Sequence, residues 1–318
     1  MITYRNPVWS GYFADPFVLK HGNEYFAYGT SPDGPQADGR IFPVLHSHDL
    51  AQWELIGGAL VRPADPERAY YWAPEVAERD GKFYLYYSAA PGTDDEQHRL
   101  RVAVADHPAG PFREVNSLLL PDEGFTIDAH PFQNPKDGNW YLLFSKDFFD
   151  ELPGTALAGV LLADDMISVA GPVTTLLRAS DKWQIFARQR LIYGRFWDAW
   201  YTLEGPTVRV HEGRYYMLYS GGNWQGGTYG VGCAVADSVL GPYSEPESGP
   251  VVLSGDRDEV TGPGHCSVVM GPDNQTEFVV YHAWDENMTG RRMHIDPLVW
   301  TANGPRCQGP TLTEQVLP

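Results

Sequence analysis

Cysteine is scarce in this 318-residue chain. Cys233, Cys266 and Cys307 are the whole set, odd in number and sparse, which excludes a disulfide framework as the source of stability. Positive charge is short as well. The 23 Lys and Arg stand against 41 Asp and Glu, a net charge of −18. That balance argues against nucleic acid or an anionic membrane as partner and suits a neutral or cationic ligand. No apolar run nears the ~18 residues of a membrane helix. No basic-then-apolar leader opens "MITYRNPVWSGYF", so a cytoplasmic protein is expected. Common catalytic signatures are missing too: there is no GxSxG elbow, no phosphate loop with its lysine, no CxxC and no HExxH. The Gly-rich "GGNWQGG" (221–227) follows a hairpin strand and lacks GxGxxG spacing. It reads as a loop over a channel.

Glycine (33 residues), proline (26 residues) and aromatics (13% of the chain) are plentiful. They predict many short strands and turns. One pattern recurs five times, a turn followed by an aromatic run. It appears as "GNEYFAYGT" (22–30), "DGKFYLYYSA" (80–89), "DGNWYLLFSK" (137–146), "EGRYYMLYSGG" (212–222) and "NQTEFVVYHAW" (274–284). A Gly-containing pair before alternating aromatics is a hairpin signal. Each copy has an upstream extended partner, such as "ADPFVL", and a downstream one, such as "LRVAVADHPAGPF". A unit of three or four strands in ~60 residues, repeated five times, predicts an all-β, five-bladed β-propeller over residues 1–318 as a single domain. The first strand of each blade then lines the central channel, with the active site at one end.

Residues heading those first strands converge on the axis. Aligned on the hairpins they are Asp15, Glu75, Asp128, Glu204 and His265. They precede the aromatic strands by eight residues (Glu75 to Phe83) to thirteen (His265 to Phe278). Gathering carboxylates this way costs several kcal/mol unless partners offset it. It also pushes their pKa values apart, which lets one carboxyl act as acid and another as base. Paired carboxylates without a nucleophile triad point to glycoside hydrolysis.

The motifs "FADPF" (Asp15), "YWAPEV" (Trp72, Glu75), "TIDAHPF" (Asp128), "LEGP" (Glu204) and "GPGHCSV" (His265) resemble those of glycoside hydrolase family 43, in order and across essentially the full chain. The resemblance implies a five-bladed propeller of inverting enzymes acting on arabinose- and xylose-containing polysaccharides. It implies Asp15 as the base that activates water and Glu204 as the general acid. Asp128 would stay charged, orient that acid and hold its pKa up. Inversion needs base and acid carboxyls ~6.5–9.5 Å apart.

The resemblance also places His265 at the channel centre, where some relatives hold calcium largely through water, so His265 is a candidate metal residue. No cofactor is needed for the chemistry. Trp72 and Glu75 are expected near the sugar, with Trp72 stacking on a ring face. Of Arg291 and Arg292, one is expected to reach the pocket and the other to face solvent. His130 reads as structural, and Asp164 and Asp165 as a surface turn. The leading expectation is an exo-acting α-L-arabinofuranosidase on arabinan, arabinoxylan or xylo-oligosaccharides. A β-xylosidase and an endo-arabinanase follow within the family, and a non-catalytic carbohydrate-binding propeller stands outside it. Either "MITYRNPV" or "GPTLTEQVL" could close the ring. The sequence sets no oligomeric state.

Overall fold

Each of the five aromatic repeats is the second strand of an antiparallel sheet. The computed structural model describes residues 2–318 except 33, 66–67, 93–94, 116–117 and 256–259. The hairpins form where the turn residues accept positive φ. Asp80-Gly81 (53°, 74°) and Glu212-Gly213 (47°, 76°) take the pair of left-handed conformations that a two-residue turn joining twisted strands requires.

Four sheets have four strands in chain order, and the third carries six. The innermost strands are Ala14–His21, Arg68–Arg79, Thr126–Gln133, Leu203–His211 and Thr261–Met270. The sheets are the blades of a five-bladed β-propeller. The outer strands of blades two and four are only Arg113–Glu114 and Leu253–Ser254, and such short edges resist pairing with other chains.

Among the described residues, five apolar clusters fill the spaces between neighbouring blades. Tyr28 of blade one packs with Tyr87 of blade two, and Tyr86 with Leu142 of blade three. Leu143 packs with Met217 of blade four, Leu218 with Val279 of blade five, and Val280 back onto Val18 of blade one. The last cluster closes the ring. The tyrosines of the repeats also find partners for their hydroxyls: Tyr28 donates to the Pro108 carbonyl (2.5 Å), Tyr86 to Met166 (2.7 Å) and Tyr281 to Asp296 Oδ2 (2.7 Å). Truncating such a buried aromatic costs about 3–5 kcal/mol.

Ring closure uses both terminal segments. Ile2–Tyr4 pairs with Gln315–Leu317, Ile2 opposite Leu317. The segment after it runs along blade five, with the Val8 N–H donating to Met293 (2.9 Å) and the Phe13 N–H to Arg291 (2.9 Å). Blade five keeps its own outer strand, Gly304–Cys307. Neither terminal segment is therefore a blade strand; they form a separate ribbon.

All five innermost strands break register at the same place. The breaks fall between Ala14 and Phe17, Trp72 and Glu75, Ile127 and His130, Glu204 and Thr207, and Gly264 and Ser267. Each break holds one left-handed residue: Asp15 (φ 51°), Ala73 (48°), Asp128 (58°), Gly205 (55°) and His265 (46°). These bulges re-aim side chains at the channel mouth. Four of the five are not glycine, and such strain gathers at functional sites. At Gly205 a Cβ would lie 3.2 Å from the His265 ring, so a side chain there would press on that histidine. The bulges also correct the expected alignment. Ala73 and Gly205, not Glu75 and Glu204, are the equivalents of Asp15.

Candidate active site

The bulges open onto a cavity of about 810 Å³. Asp15, Asp128, Glu204 and His265 all line it, with Trp72 and Arg291. Its further wall is a hairpin of blade three, Ile185–Ile192 and Arg195–Tyr201, which contributes Phe186, Arg190 and Trp200.

Asp15 is surrounded by nitrogen. Arg291 Nη1 donates to its Oδ1 (3.2 Å), while Arg291 Nε donates to the Tyr12 hydroxyl (3.0 Å). The guanidinium lies 4.4 Å over the Trp224 ring, from the "GGNWQGG" loop that the sequence set over the channel. His265 Nδ1 stands 3.5 Å from Asp15 Oδ1. The Asp15 N–H donates to His282 Nδ1 (3.0 Å). This directed contact outranks the 3.4 Å approach of the same nitrogen to Oδ1, so the His282 ring proton sits on Nε2. Burial pushes the His282 ring down to about 4, helped by Arg291, and it is neutral at pH 7. For Asp15, burial favours the neutral acid, but Arg291 and His265 outweigh it and hold the carboxyl well below the usual range.

Glu204 and Asp128 are treated the opposite way. Tyr229 donates its hydroxyl to Glu204 Oε1 (2.6 Å), which leaves Oε2 to carry a proton. Burial raises Glu204, Asp15 adds to the rise, and His265 and Tyr229 oppose it. Asp128 Oδ2 accepts the N–H of Gly205 (3.0 Å), fixing the backbone beside Glu204. Burial pushes Asp128 up to about 7, opposed by His265 and helped by Glu204 and Asp15. The expectation that Asp128 stays charged is opposed by its burial and favoured by His265. Both carboxyls are raised, and they titrate as a pair rather than as one charge beside one acid.

A chain with this fold and these carboxylates can be compared with known proteins. Residues 4–305 match the family described as "Glycosyl hydrolases family 43". The chain belongs to glycosyl hydrolase family 43. A relative from Aspergillus niger, a beta-D-galactofuranosidase, is 30% identical over 90% of this chain and 78% of its own. An extracellular endo-alpha-(1->5)-L-arabinanase from Bacillus subtilis is 25% identical over 92% of this chain and 86% of its own. The solved structure of a thermostable family-43 glycoside hydrolase superposes with a TM-score of 0.85 at 32% identity, covering 99% of both chains. The protein is thus a glycosidase acting on carbohydrate, and catalysis in its family uses no cofactor. The expected cytoplasmic location is overturned by relatives. The arabinanase above and two exo-arabinofuranosidases, from Streptomyces avermitilis and Streptomyces chartreusis, are named as extracellular enzymes.

Other predicted site residues divide. Trp72 lines the cavity, backed by the stacked ring of His98 at 3.5 Å. It holds the register place of Glu204, which explains why it faces the same space. Glu75 does not line the cavity, and its expected place near the sugar is corrected. Two residues further along the strand, it meets His130 Nδ1 (2.8 Å). His130 Nε2 in turn accepts the Val208 N–H (3.1 Å), so the imidazole bridges blades two, three and four. Of the two arginines, Arg291 reaches the cavity and Arg292 does not. Strand alternation turns it from Arg291's side, and it pairs with Asp285 (2.8 Å).

For the candidate calcium at His265, held largely through water, the imidazole itself is not the oxygen donor that calcium prefers. Calcium takes six to eight oxygens at ~2.3–2.6 Å. His265 offers one imidazole, whose Nδ1 faces Asp15 at 3.5 Å and Asp128 at 4.0 Å.

The sequence reading missed Tyr12, Tyr229 and His282, which carry no signal of their own: Tyr12 only abuts "FADPF", and His282 lies inside the fifth aromatic repeat. It also missed the blade-three hairpin, whose signal was legible. Tyr193-Gly194, between the alternating runs "IFARQRLI" and "RFWDAWY", takes φ of 54° and 66°, the same two-residue turn as in the repeats.

Proposed function

We propose that residues 1–318 form a single catalytic propeller domain, an inverting, exo-acting α-L-arabinofuranosidase. In this reading Asp15 takes a proton from a water molecule. The water oxygen attacks the anomeric carbon on the face opposite the leaving group. Glu204 gives its proton to the departing glycosidic oxygen as the C–O bond breaks. Asp128 acts as a positioning residue, through Gly205 and through its charge coupling to Glu204. Trp72 supplies a face for the sugar ring.

The observation that carries the reading is the split within one cavity. Cations lower the Asp15 pKa, while burial raises that of Glu204, the pattern by which one site runs acid and base chemistry together. The blade-three hairpin walls the far side of the cavity, which favours a chain end over a mid-chain stretch. A second reading has one specific support, the galactofuranosidase relative at 30% identity. β-D-Galactofuranose shares the ring configuration of α-L-arabinofuranose and adds one exocyclic carbon.

Nitrophenyl arabinofuranoside, galactofuranoside and xylopyranoside separate these readings by kcat/KM. The arabinofuranoside is expected to lead. Proton NMR of the first-formed sugar is expected to show the inverted anomer, and a retained anomer would overturn the roles given to Asp15 and Glu204.

A further inference from the structure

Blade one carries a second set of ionisable residues, and it does not line the cavity. His46 lies in the third strand, Ile41–Ser47, opposite both Phe26 of Glu24–Thr30 and Glu54 of Glu54–Leu60. Cross-strand partners share a face, and so do residues two apart. Glu24, His46 and Glu54 therefore fall on one side of the sheet, and His48 lies just past the strand end.

We propose that Glu24, His46 and His48 form a zinc site, with Glu54 supporting it from behind. One donor atom from each of the three lies within 4.8 Å of the others. His46 Nε2 is 3.3 Å from Glu24 Oε1, and His48 Nδ1 is 3.8 Å from the same oxygen. Zinc bonds of about 2.0–2.1 Å set the edge of a tetrahedron near ~3.3–3.4 Å, so of the three edges the His46–Glu24 one already matches, the His48–Glu24 one needs a small closure, and the His46–His48 one lies within 4.8 Å. The two rings stand at 83° with centroids 4.7 Å apart, so they approach the shared carboxylate from different directions.

Glu54 is the second and independent observation. Its Oε1 takes the hydrogen bond of His46 Nδ1 at 3.2 Å. That leaves the Nε2 lone pair aimed at the site, the arrangement by which a carboxylate fixes the tautomer of a zinc-binding imidazole. His46 is also held in place, its side chain only 14% exposed and its ring 5.1 Å from Phe26. Two nitrogens and one oxygen select zinc over calcium or magnesium. Three protein ligands leave a fourth position for water. The bound ion would tie the second and third strands of blade one together.

The test is calorimetric titration of zinc chloride into chelator-treated, untagged, full-length protein. One equivalent is expected to bind, and zinc is expected to raise the unfolding temperature. Glu54→Gln should weaken binding about 10–100-fold. His48→Ala should weaken it at least tenfold; the side chain is 74% exposed, so this variant leaves the core untouched. Asp15→Asn should leave zinc affinity unchanged. Absence of saturable binding would leave only ordinary ion pairs and overturn the site. So would affinity that survives His48→Ala, or affinity lost in Asp15→Asn instead.

Discussion

Two carboxylate–imidazole pairs lie side by side in the ring. In Glu75–His130 the side chains are each 10% exposed; in Asp15–His265 they are 10% and 9%. Burial does not distinguish them. Satisfaction does. Both nitrogens of His130 are used, one by Glu75 and one by the Val208 N–H, so the pair is closed and mechanical. His265 Nδ1 is shared loosely between Asp15 at 3.5 Å and Asp128 at 4.0 Å, and all three face the cavity. A buried acid beside a histidine is therefore no sign of chemistry in itself. The sign is a pair left incomplete where a substrate can enter.

Substitutions should pull the two pairs apart. The largest effect is expected from Asp15→Ala or Glu204→Ala, each losing about 10²–10⁴ in kcat with the unfolding temperature preserved. Glu75→Ala should do the reverse. It leaves the His130 Nδ1–H buried without an acceptor, so denaturant unfolding should reveal a loss of about 1–3 kcal/mol while kcat/KM stays near that of the parent. Equal losses of turnover in all three would erase the comparison.

The next effect is on pH dependence. The acidic limb of kcat/KM reports the base, which must be ionised, and the basic limb reports the acid, which must be protonated. Arg291 lowers the Asp15 pKa. Its loss in Arg291→Met should raise that pKa and carry the acidic limb upward into the measurable range. Tyr229 also lowers Glu204, through its hydrogen bond. Tyr229→Phe should therefore move the basic limb to higher pH and leave the acidic limb in place. Movement of the opposite limb in either variant would reverse the roles given to Asp15 and Glu204. The smallest effect belongs to Trp72→Ala. Losing a stacking face worth about 0.5–1.5 kcal/mol should raise KM roughly two- to tenfold with kcat little changed.

The sequence made the blades legible because each is announced by its own turn. Asp80-Gly81 and Glu212-Gly213 mark the same two-residue hairpin whatever strands surround them. The channel was harder to read, because the bulge that defines it has no residue signature. Asp, Ala, Asp, Gly and His occupy the five equivalent places. Matching carboxylate to carboxylate slipped Glu75 by two residues and Glu204 by one. Glu204 still reached the cavity, since its register place faces the opening, as Trp72's does. Glu75 was sent down to His130. Arg291 and Arg292 could not be told apart until strand pairing set their phase. Tyr229 and His282 act through single contacts from different blades, and nothing in a linear reading joins them to Asp15 or Glu204.

The ribbon of Ile2–Tyr4 with Gln315–Leu317 has a consequence in time. Asp15 precedes Arg291, His265 and the ribbon's second strand along the chain and is therefore made before them. Until blade five docks against blade one, Asp15 lacks the cations that lower its pKa once it is buried. An emerging chain thus carries its base early but cannot arm it. Hydrolytic competence arrives when blade five docks on blade one and the two strands of the ribbon meet.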